Sequence, residues 1–535
     1  MELPDSAVIG NTAPVLFPLA FFSFCLWILT GAVYRLWFSP ISHFPGPKIA
    51  ALTWWYEFYH DAIRGGQYIW EIEKMHRRYG PIIRINPEEL HVSDPDFYTV
   101  LYSSNRRNKT VQYSKQFGTP DASIGTIDHS VHRVRRAALN PFFSKASVYR
   151  LEPVIQEKVD EMLARLEGFR KNRGEVIPLT LMFSAFTNDI VMEYSFARCD
   201  HRLQHPEFDP VFHRVSLAAR DMNHWSKHMN WIFRLTQSVP PWMARFLDEK
   251  MAKLIAFQAE MGRQIKNIQN GQNKHHETAS HRTIFHDMLE SNLLPDSDKQ
   301  LSRMAQEGQV VVGAGTETTS WTLSVGMFYI LSNPSIRSRL EEELEQNQFP
   351  DLDPRQRRPL KLVDLERLPY LTACIQESLR LSYGVTSRLA RIAPDQALSL
   401  KLDDGDSHGH EIQIPPGVPV SMTSVLLHRD PKIFPCPEEF RPERWLENPR
   451  LDRYLVAFTK GTRQCLGINL AYAELYMGLG GIFRWFGRAG RAGQQGGNTS
   501  ELVLYETSHE DVETVADMFL PGVRKGSKGV RAVFR

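Results

Sequence analysis

The sequence lacks the features of several protein classes. Its 63 lysines and arginines are almost balanced by 61 aspartates and glutamates, so the formal net charge is only +2. A chain with no overall basic character offers no electrostatic reason to bind nucleic acid. It also contains no internal repeat and no second domain with a flavin or nicotinamide fingerprint. If the chain carries out redox chemistry, its electrons must therefore come from a separate protein.

Cysteine is scarce, which excludes a disulfide-stabilised scaffold. The chain has five cysteines, an odd number, and they are widely scattered: Cys25, Cys199, Cys374, Cys436 and Cys465. This pattern is typical of reduced thiols in a cytosolic compartment. A single cysteine in such a protein is most often a buried, inert small residue. A functional role for any of the five therefore needs a local motif to support it.

The longest apolar run lies at the amino terminus, where no charged residue falls between Asp5 and Arg35. About 20 apolar residues at 1.5 Å each cross roughly 30 Å of hydrocarbon, so this run is long enough to span a membrane. A cleaved signal peptide is the alternative, but it needs a basic start, and Glu2 and Asp5 stand there instead. We predict a transmembrane helix over about residues 14–36 within a membrane anchor of residues 1–39. Arg35 then places the rest of the chain in the cytosol by the positive-inside rule.

The remaining chain reads as a short linker and one large globule. Prolines at positions 40, 45 and 47 predict a stiff, extended hinge over residues 40–47. Residues 48–535 are enough to enclose a cofactor. Helical periodicity with a few short alternating runs predicts a mainly α fold with a smaller β portion. We predict long helices over residues 148–169, 179–194, 246–268, 301–331 and 468–486, and short strands within residues 79–93 and 411–421.

One motif near the carboxyl end brings a cysteine out of a glycine turn and into a helix. Its defining positions are Phe458, Gly461, Arg463, Cys465 and Gly467. Gly461 can adopt positive φ to turn the chain, and Gly467, without a Cβ, lets a flat group approach the backbone. A helix starting at about Ile468 points free N–H groups toward the sulfur, which favours the thiolate. The motif predicts a thiolate metal ligand.

The spacing Phe-x-x-Gly-x-Arg-x-Cys-x-Gly resembles the haem-ligand signature of the cytochrome P-450 family, and every position is filled. The resemblance covers essentially the whole chain after the hinge. It implies the cytochrome P-450 fold, haem b as cofactor and Cys465 as the axial ligand of the haem iron. A thiolate ligand favours O–O bond cleavage over reversible oxygen storage, so the chain is expected to activate O2.

A second motif would supply the place where O2 is bound and protonated. Glycines in the middle of a helical pattern cost about 1 kcal/mol each, so a close approach should justify Gly313 and Gly315. Thr318 lies one turn after Ala314, and its hydroxyl could bond the Ala314 carbonyl and open the helix locally. The alternative is that the small residues merely let helices pack closely. The segment Ala314-Gly315-Thr316-Glu317-Thr318 resembles the oxygen-binding helix motif of the family. The resemblance implies that Thr318 activates oxygen, that Glu317 relays protons, and that Ala314 and Gly315 face the cofactor.

A haem carries two propionates, so cationic or donor side chains should converge on it. Arg463 is one such side chain. The segment 128–142 resembles the family helix that normally reads Trp-x-x-x-Arg, with His132 in place of tryptophan and with Arg136 as the arginine. The resemblance also places Arg391 at a propionate-binding position. We expect Arg133 and Arg135 to face the surface instead, where an acidic electron donor could dock.

A third pattern is structural. Glu377 and Arg380 lie at i, i+3 on a helical face, a common pair worth only a few tenths of a kcal/mol when exposed. The downstream segment 440–445 resembles the Pro-Glu-Arg segment of the family. By that resemblance, Glu377, Arg380 and Arg444 form a buried charged triad behind the haem-ligand loop. Trp445 stands where the family usually has phenylalanine.

Together these features predict a membrane-anchored haem-thiolate monooxygenase. The family resemblance implies single-pass anchoring in the endoplasmic reticulum with the catalytic domain facing the cytosol, and electrons from NADPH through a separate cytochrome P-450 reductase. Residues 80–110 and 504–534 resemble the filamentous-fungal branch of the family that includes trichodiene oxygenases. This resemblance implies hydroxylation or epoxidation of an apolar small molecule, a terpenoid or polyketide, in secondary metabolism. Segments 113–127, 224–243, 385–386 and 518–520 are expected to roof the haem. The alternatives are an isomerase or dehydratase of the same fold, and a haem-binding sensor or carrier.

Overall fold

Helices dominate the architecture of the chain. The computed structural model describes residues 13–116, 118–229, 231, 243, 249–346, 361–402, 410–487 and 500–535. The α-helices are α1 Ala13–Val33, α2 Lys48–Leu52, α3 Trp55–Phe58, α4 Tyr68–Tyr79, α5 Phe97–Leu101, α6 Val111–Lys115, α7 His129–Leu139, α8 Lys145–Lys171, α9 Leu179–Phe196, α10 Val211–His228, α11 Glu249–Gln269, α12 Ile284–Glu290, α13 Leu301–Ser332, α14 Pro334–Gln346, α15 Leu362–Leu365, α16 Pro369–Ser382, α17 Ser424–His428, α18 Glu443–Glu447 and α19 Ile468–Phe486. The five long helices predicted from periodicity are confirmed. Their described ends differ from the predicted ones by at most three residues, and the start predicted at residue 246 lies outside the described residues.

Short strands form four small sheets at the edges of the helical body. They are β1 Ile82–Arg84, β2 Leu90–Val92, β3 Ile177–Pro178, β4 Arg391–Ile392, β5 Leu398–Leu402, β6 His410–Ile414, β7 Pro419–Ser421, β8 Leu502–Leu504, β9 Ala516–Met518, β10 Leu520–Gly522 and β11 Arg531–Phe534. The sheets have the orders β1-β2-β7-β4, β10-β9, β3-β11-β8 and β5-β6. In the largest sheet, β2 and β7 pair in parallel, with Leu90 opposite Val420. The predicted strands within residues 79–93 and 411–421 are therefore present.

The long helix α13 runs through the core and packs closely against α9. Small residues permit the close approach of these helices. A Cβ at Gly315 would lie 2.9 Å from the Val191 methyl Cγ2 of α9, and a Cβ at Gly326 would lie 2.6 Å from Ser378 Oγ of α16. The close-packing alternative for the Gly-Ala-Gly segment is thus correct for Gly315. By contrast, a Cβ at Gly313 would have no neighbour within 4 Å.

The amino-terminal helix α1 projects its apolar side chains outward. Residues 18–38 form a 21-residue helical segment with a mean hydropathy of 1.7, and none of it is buried inside the protein. Its exposed side chains include Phe21 and Trp27, each about 70% accessible. Length and composition therefore make this segment a candidate transmembrane span, which agrees with the predicted helix over about residues 14–36.

Residues 40–47 are not the extended spacer predicted from their prolines. They form turns, and Ile41 and Phe44 are buried in a core shared with β1 and β2. The backbone N–H of Arg84 donates to Pro45 O at 2.7 Å, and its guanidinium donates to Arg35 O at 2.7 Å. Proline restricts the backbone of the segment, but it does not determine whether neighbouring apolar side chains pack into the core. Here two apolar side chains fix the segment onto the β-sheet.

Candidate active site

A large cavity lies between the central part of α13 and the start of α19. Its volume is about 440 Å³, and α10 and the β9–β10 hairpin also contribute to its wall. Most of the side chains predicted from the motifs line it, namely His132, Arg136, Ala314, Gly315, Thr318, Arg391, Phe458, Arg463, Cys465 and Gly467. Gly461 and Glu317 are not in the wall. The chain thus brings together motifs that are up to 335 residues apart, from His132 to Gly467.

The cysteine loop has the backbone geometry that its glycines predict. Gly461 has φ +73°, and a Cβ there would lie 2.2 Å from the carbonyl oxygen of Ser103. A short 3₁₀ turn over Gly461–Arg463 follows, and the Cys465 N–H donates to Phe458 O at 2.9 Å. Gly467 immediately precedes α19, and a Cβ at this position would meet no atom within 4 Å. The loop therefore presents Cys465 to the cavity beside an open backbone surface.

The protein alone does not favour the thiolate as strongly as the helix argument predicts. Burial raises the pKa of the Cys465 thiol, and this effect exceeds the opposing effects of the Gly467 backbone N–H and the Arg136 guanidinium. The side chain nevertheless has accessible surface, because it stands in the cavity wall. The helix amino terminus acts in the predicted direction but is too weak by itself. A bound metal cation would supply the missing stabilisation, because coordination deprotonates a thiol outright.

Four cationic side chains converge at one end of the cavity. They are Lys109, Arg136, Arg391 and Arg463. Burial, and after it the charge of Arg391, lowers the pKa of Arg463 to about 9. Burial and the neighbouring arginines also hold the pKa of Lys109 well below its usual value. Without an anion, burial and the repulsion between these cations disfavour the charged forms of Arg463 and Lys109.

This cluster fits the two carboxylates of haem. Within the described part of the chain, none of its four members forms an ion pair with an acidic side chain. Arg463 donates to the carbonyls of Thr126 at 2.6 Å and Ile127 at 2.8 Å, which fixes its head group, and its buried Nε has no hydrogen-bond partner among the residues that the structure describes. Arg136 donates to Gln464 O at 2.6 Å, next to the cysteine. An anionic group with two carboxylates would compensate these buried charges.

His132 and Arg136 reach the cavity from the same face of α7, one turn apart. His132 is buried, and burial together with the charge of Arg463 lowers its pKa to about 2. It is therefore neutral and retains one N–H donor, as tryptophan would. Lys109 was missed by the sequence motifs. It lies next to Asn108, which bridges to Ile392 and so places Lys109 beside Arg391.

The central segment of α13 lines the same cavity as the cysteine. Thr318 Oγ1 donates to the Ala314 carbonyl at 2.8 Å, which is the hydrogen bond predicted from their spacing. The α-helix is nevertheless continuous over Leu301–Ser332, so the predicted local opening is not present. The Thr318 side chain is accessible from the cavity and its oxygen remains free to accept a further hydrogen bond.

Two carboxyl groups, those of Glu317 and Glu474, lie near this segment, and only that of Glu474 belongs to the cavity wall. The carboxylate of Glu317 contacts His213 Nδ1 at 3.3 Å and Ser184 Oγ at 3.4 Å, away from the cavity wall. Glu474 of α19 does line the cavity, is 1% exposed, and has an Oε1 atom without a hydrogen-bond partner among the described residues. Burial raises its pKa well above the usual value, which favours the protonated form. Glu474 was not predicted as a site residue, although a single acidic residue in the apolar sequence of α19 could have indicated it.

The predicted triad is assembled behind the cysteine loop. Arg380 donates to both oxygens of Glu377, at 2.9 and 2.8 Å, and Arg444 Nε donates to Glu377 Oε1 at 3.0 Å. All three side chains are almost fully buried. Trp445 adds a contact that phenylalanine could not make, since its indole N–H donates to Glu377 Oε2 at 2.9 Å. The departure from the family pattern thus contributes a hydrogen bond as well as an aromatic ring.

One of the two arginines expected at a docking surface is engaged elsewhere. Arg135 is only 14% exposed and forms a bidentate ion pair with Asp298, at 3.1 and 2.9 Å. The prediction that Arg135 faces an electron donor is therefore wrong, because a carboxylate distant in the sequence occupies its guanidinium. Arg133 is exposed on the same helix.

Another ionisable cluster joins α10 to the turn after α3. Ligand atoms of Glu57, Asp61 and His228 lie within 4.8 Å of one another. The Lys227 ammonium already lies among them, 2.9 Å from Asp61 and in contact with Glu57, and Arg388 contacts Glu57 at 2.5 Å. Burial raises the pKa of Glu57, but Arg388 and Lys227 outweigh burial and lower it to about 2. This cluster is a buried ion-pair network that holds the end of α10.

The segments expected to roof the haem are partly confirmed as cavity wall. Tyr113, Ile124, Val385 and Phe519 line the cavity, as do Met518 and Leu520. Within 224–243, Ser226 lines it, and Trp225 packs edge-on against Phe58 instead. Trp231 is 66% exposed. Phe233 and Trp242 lie outside the described residues.

Comparison with known proteins agrees with this geometry. The family model described as Cytochrome P450 matches residues 47–495. A cytochrome P450 monooxygenase of Cochliobolus heterostrophus is 44% identical over 537 residues, which cover 99% of each chain. A tryptophan 6-hydroxylase of Fusarium equiseti is 38% identical over 530 residues, covering 97% of this chain and 98% of its own. An N-acetyltryptophan 6-hydroxylase of Emericella nidulans is 38% identical over 515 residues, covering 94% of each. The predicted family, fold class and enzyme class are therefore confirmed: the chain belongs to the cytochrome P-450 family and is a monooxygenase.

Proposed function

We propose that the protein is a membrane-anchored haem-thiolate monooxygenase that hydroxylates or epoxidises a largely apolar small molecule in fungal secondary metabolism. The observation that carries the proposal is that Cys465 and Thr318 line one cavity together with four cations that form no ion pair with an acidic side chain within the described part of the chain. When bound, haem b would supply the redox-active iron that reacts with O2. We assign this activity to residues 48–535, with residues 1–39 as the anchor and residues 40–47 joining them.

The roles of the cofactor-binding residues follow from their chemistry. Cys465 would be the iron ligand. Lys109, Arg136, Arg391 and Arg463 would bind the two carboxylates, with His132 as a neutral N–H donor. Phe458, Gly461, Gly467, Ala314 and Gly315 would shape the walls on either side of the cofactor. The Glu377, Arg380 and Arg444 triad would hold the cysteine loop in place without touching the cofactor.

Thr318 and two carboxyl groups would handle protons. The Thr318 hydroxyl gives its hydrogen to Ala314 O and so accepts at Oγ1, where it would orient water or a protonated group in the cavity. Glu317 would exchange protons through His213, which contacts its carboxylate. Glu474, whose pKa is raised by burial, would be a second proton donor inside the cavity, beside Thr319.

We propose endoplasmic reticulum anchoring through the candidate span of residues 18–38, with the catalytic domain facing the cytosol. Its support is the apolar, outward-facing helix and Arg35 near its carboxyl end. Electrons would come from NADPH through a separate cytochrome P-450 reductase, because the sequence carries no flavin or nicotinamide fingerprint. The exposed Arg133 remains a candidate contact for that partner.

The substrate proposal rests on the cavity wall. Its apolar part includes Val310, Val385, Leu389 and Phe519, which suits a terpenoid or polyketide body. Two relatives are named for the hydroxylation of tryptophan and of N-acetyltryptophan, so an indole body is a further scaffold to test here.

The test is the reduced, carbon-monoxide difference spectrum of microsomes that carry the wild type or Cys465→Ala. A thiolate-type Soret band in the wild type and its absence in Cys465→Ala would support the proposal. Its absence from folded, haem-loaded wild type would refute it. Substrate-dependent NADPH consumption with added reductase would then identify turnover with individual scaffolds.

A further inference from the structure

One face of α10 places a row of polar side chains in the wall of an otherwise largely apolar cavity. Ser216, Arg220, Asn223 and Ser226 follow one another at helical spacing and all line the cavity. Residues at i, i+4, i+7 and i+10 lie on the same face of a helix. A pocket for a purely hydrocarbon substrate has no need of such a row, because buried polar groups without partners oppose folding.

Asn223 is the strongest member of the row. It is 3% exposed, and neither its carbonyl oxygen nor its amide nitrogen has a hydrogen-bond partner among the described residues. Buried side-chain amides in native proteins are normally paired, and leaving one unpaired is costly. Since Asn223 faces the cavity, a ligand there would be its natural partner.

Arg220, one turn before Asn223, is also poorly compensated. An Asp221 carboxylate oxygen lies 3.8 Å from its guanidinium, which donates one long hydrogen bond, at 3.4 Å, to Pro521 O. Within the described part of the chain, its Nε has no hydrogen-bond partner. Burial lowers its pKa, and the charges of Asp221 and Glu317 only partly oppose this. The guanidinium is therefore placed to gain from a negatively charged ligand.

The site is separate from the cation cluster assigned to the cofactor. After burial, the charges that most perturb the pKa values of Lys109 and His132 are those of the other members of this cluster, Arg136, Arg391 and Arg463 among them. The acidic side chains in the cavity wall do not neutralise Arg220 either. Glu307 is paired with Arg303 at 2.5 Å, and burial raises the pKa of Glu474, which disfavours its charged form. The positive charge of Arg220 is thus only partly compensated, by Asp221 and Glu317.

We propose that the substrate carries a carboxylate, which Arg220 binds through its guanidinium while the Asn223 amide donates a further hydrogen bond. The apolar body of the substrate would then extend toward Thr318 and Cys465. This inference rests on the proposed monooxygenase function and narrows its substrate class from an apolar molecule to an apolar carboxylic acid. A site built to bond a polar group discriminates strongly against analogues that lack it.

The test uses probes whose binding does not depend on guessing the scaffold. Imidazol-1-yl alkanoic acids of graded chain length are titrated into the holoenzyme beside their methyl esters, and the shift of the Soret band reports binding. The imidazole ligates the iron in every case, so the difference between acid and ester measures recognition of the carboxylate. The proteins are the wild type, Arg220→Gln, Arg220→Lys, Asn223→Asp and Arg214→Gln. Arg214 is an exposed arginine on the same helix and serves as the matched control.

We expect the wild type to prefer the acid over the ester at an optimal chain length. Arg220→Gln should weaken acid binding about tenfold or more and leave the ester unchanged. Arg220→Lys should keep part of the preference, Asn223→Asp should abolish it by repulsion, and Arg214→Gln should keep it. No preference for any acid in the wild type, or a preference that survives in Arg220→Gln, would overturn the proposal. A thiolate-type carbon-monoxide spectrum recorded for each variant shows that the proposed function itself stands, so the two failures are distinguishable.

Discussion

Replacing Trp445 by phenylalanine tests whether the departure from the family pattern stabilises the triad. The Glu377 carboxylate is fully buried and accepts five hydrogen bonds: two from Arg380, one each from Arg444 Nε and the Arg441 backbone, and one from the Trp445 indole. Trp445→Phe removes the last of these and leaves Oε2 with a single donor, Arg380 Nε at 2.9 Å. A hydrogen bond to a buried charged group contributes about 1.5–3 kcal/mol. The smaller ring adds a cavity cost, so we expect a loss of about 2–3 kcal/mol in the free energy of unfolding.

The measurement is urea unfolding of the holoenzyme, followed by the thiolate-type Soret band of the reduced carbon-monoxide complex. Because the triad lies behind the cysteine loop, this signal reports the integrity of the region that Glu377 supports. Trp55→Phe is the control, since Trp55 is 64% exposed and its replacement should change stability by less than about 0.5 kcal/mol. If Trp445→Phe and Trp55→Phe unfold at the same urea concentration, the indole hydrogen bond contributes nothing and the argument is refuted.

Three further changes test other parts of the structure. Lys227→Met removes one of the cations that compensate two buried carboxylates and should lower the free energy of unfolding by about 3–5 kcal/mol; an unchanged urea midpoint would contradict the buried network. Gly461→Ala places a methyl 2.2 Å from the Ser103 carbonyl at φ +73° and should strongly reduce haem content per folded protein, whereas full haem occupancy would show that the turn tolerates a side chain. Burial, and to a lesser extent the charge of Arg380, lowers the pKa of His428 to about 3. As the pH falls, the unfolded state therefore takes up a proton at a higher pH than the folded state does, and stability is lost between about pH 6.5 and pH 3. His428→Gln should flatten this part of the stability profile measured by urea unfolding at several pH values, and an unaltered slope would assign it to other groups.

Much of the site was predictable from local patterns because its chemistry depends on short segments. Gly461, Cys465 and Gly467 lie within one loop, and positive φ at Gly461 follows from the turn alone. The bond from Thr318 to the Ala314 carbonyl depends only on helical spacing. Lys109 was not predictable in this way, because its position depends on the bridge between Asn108 and Ile392, which are 284 residues apart.

The predicted surroundings of a side chain were wrong where that side chain has more than one possible partner. Arg135 lies one residue from Arg136 on α7, yet it turns to Asp298 while Arg136 turns to the cavity. Glu317 likewise contacts His213 of α10, whereas Glu474 from α19 faces the cavity in its place. Adjacent residues on a helix point about 100° apart, so their surroundings depend on what packs on each face.

The sequence by itself determined the family, the mainly helical class, the apolar amino-terminal segment and the cysteine presented by a glycine turn. These properties depend on composition, periodicity and the backbone preferences of a few residues, all of which act over short distances along the chain. Only the tertiary structure decided how the charges are distributed around the cavity. The cluster of Lys109, Arg136, Arg391 and Arg463, and the positions of Asn223 and Arg220 in the cavity wall, come from segments that meet only after folding. Whether a buried charge is compensated depends on neighbours a few ångströms away in space, and spacing along the chain does not specify those neighbours.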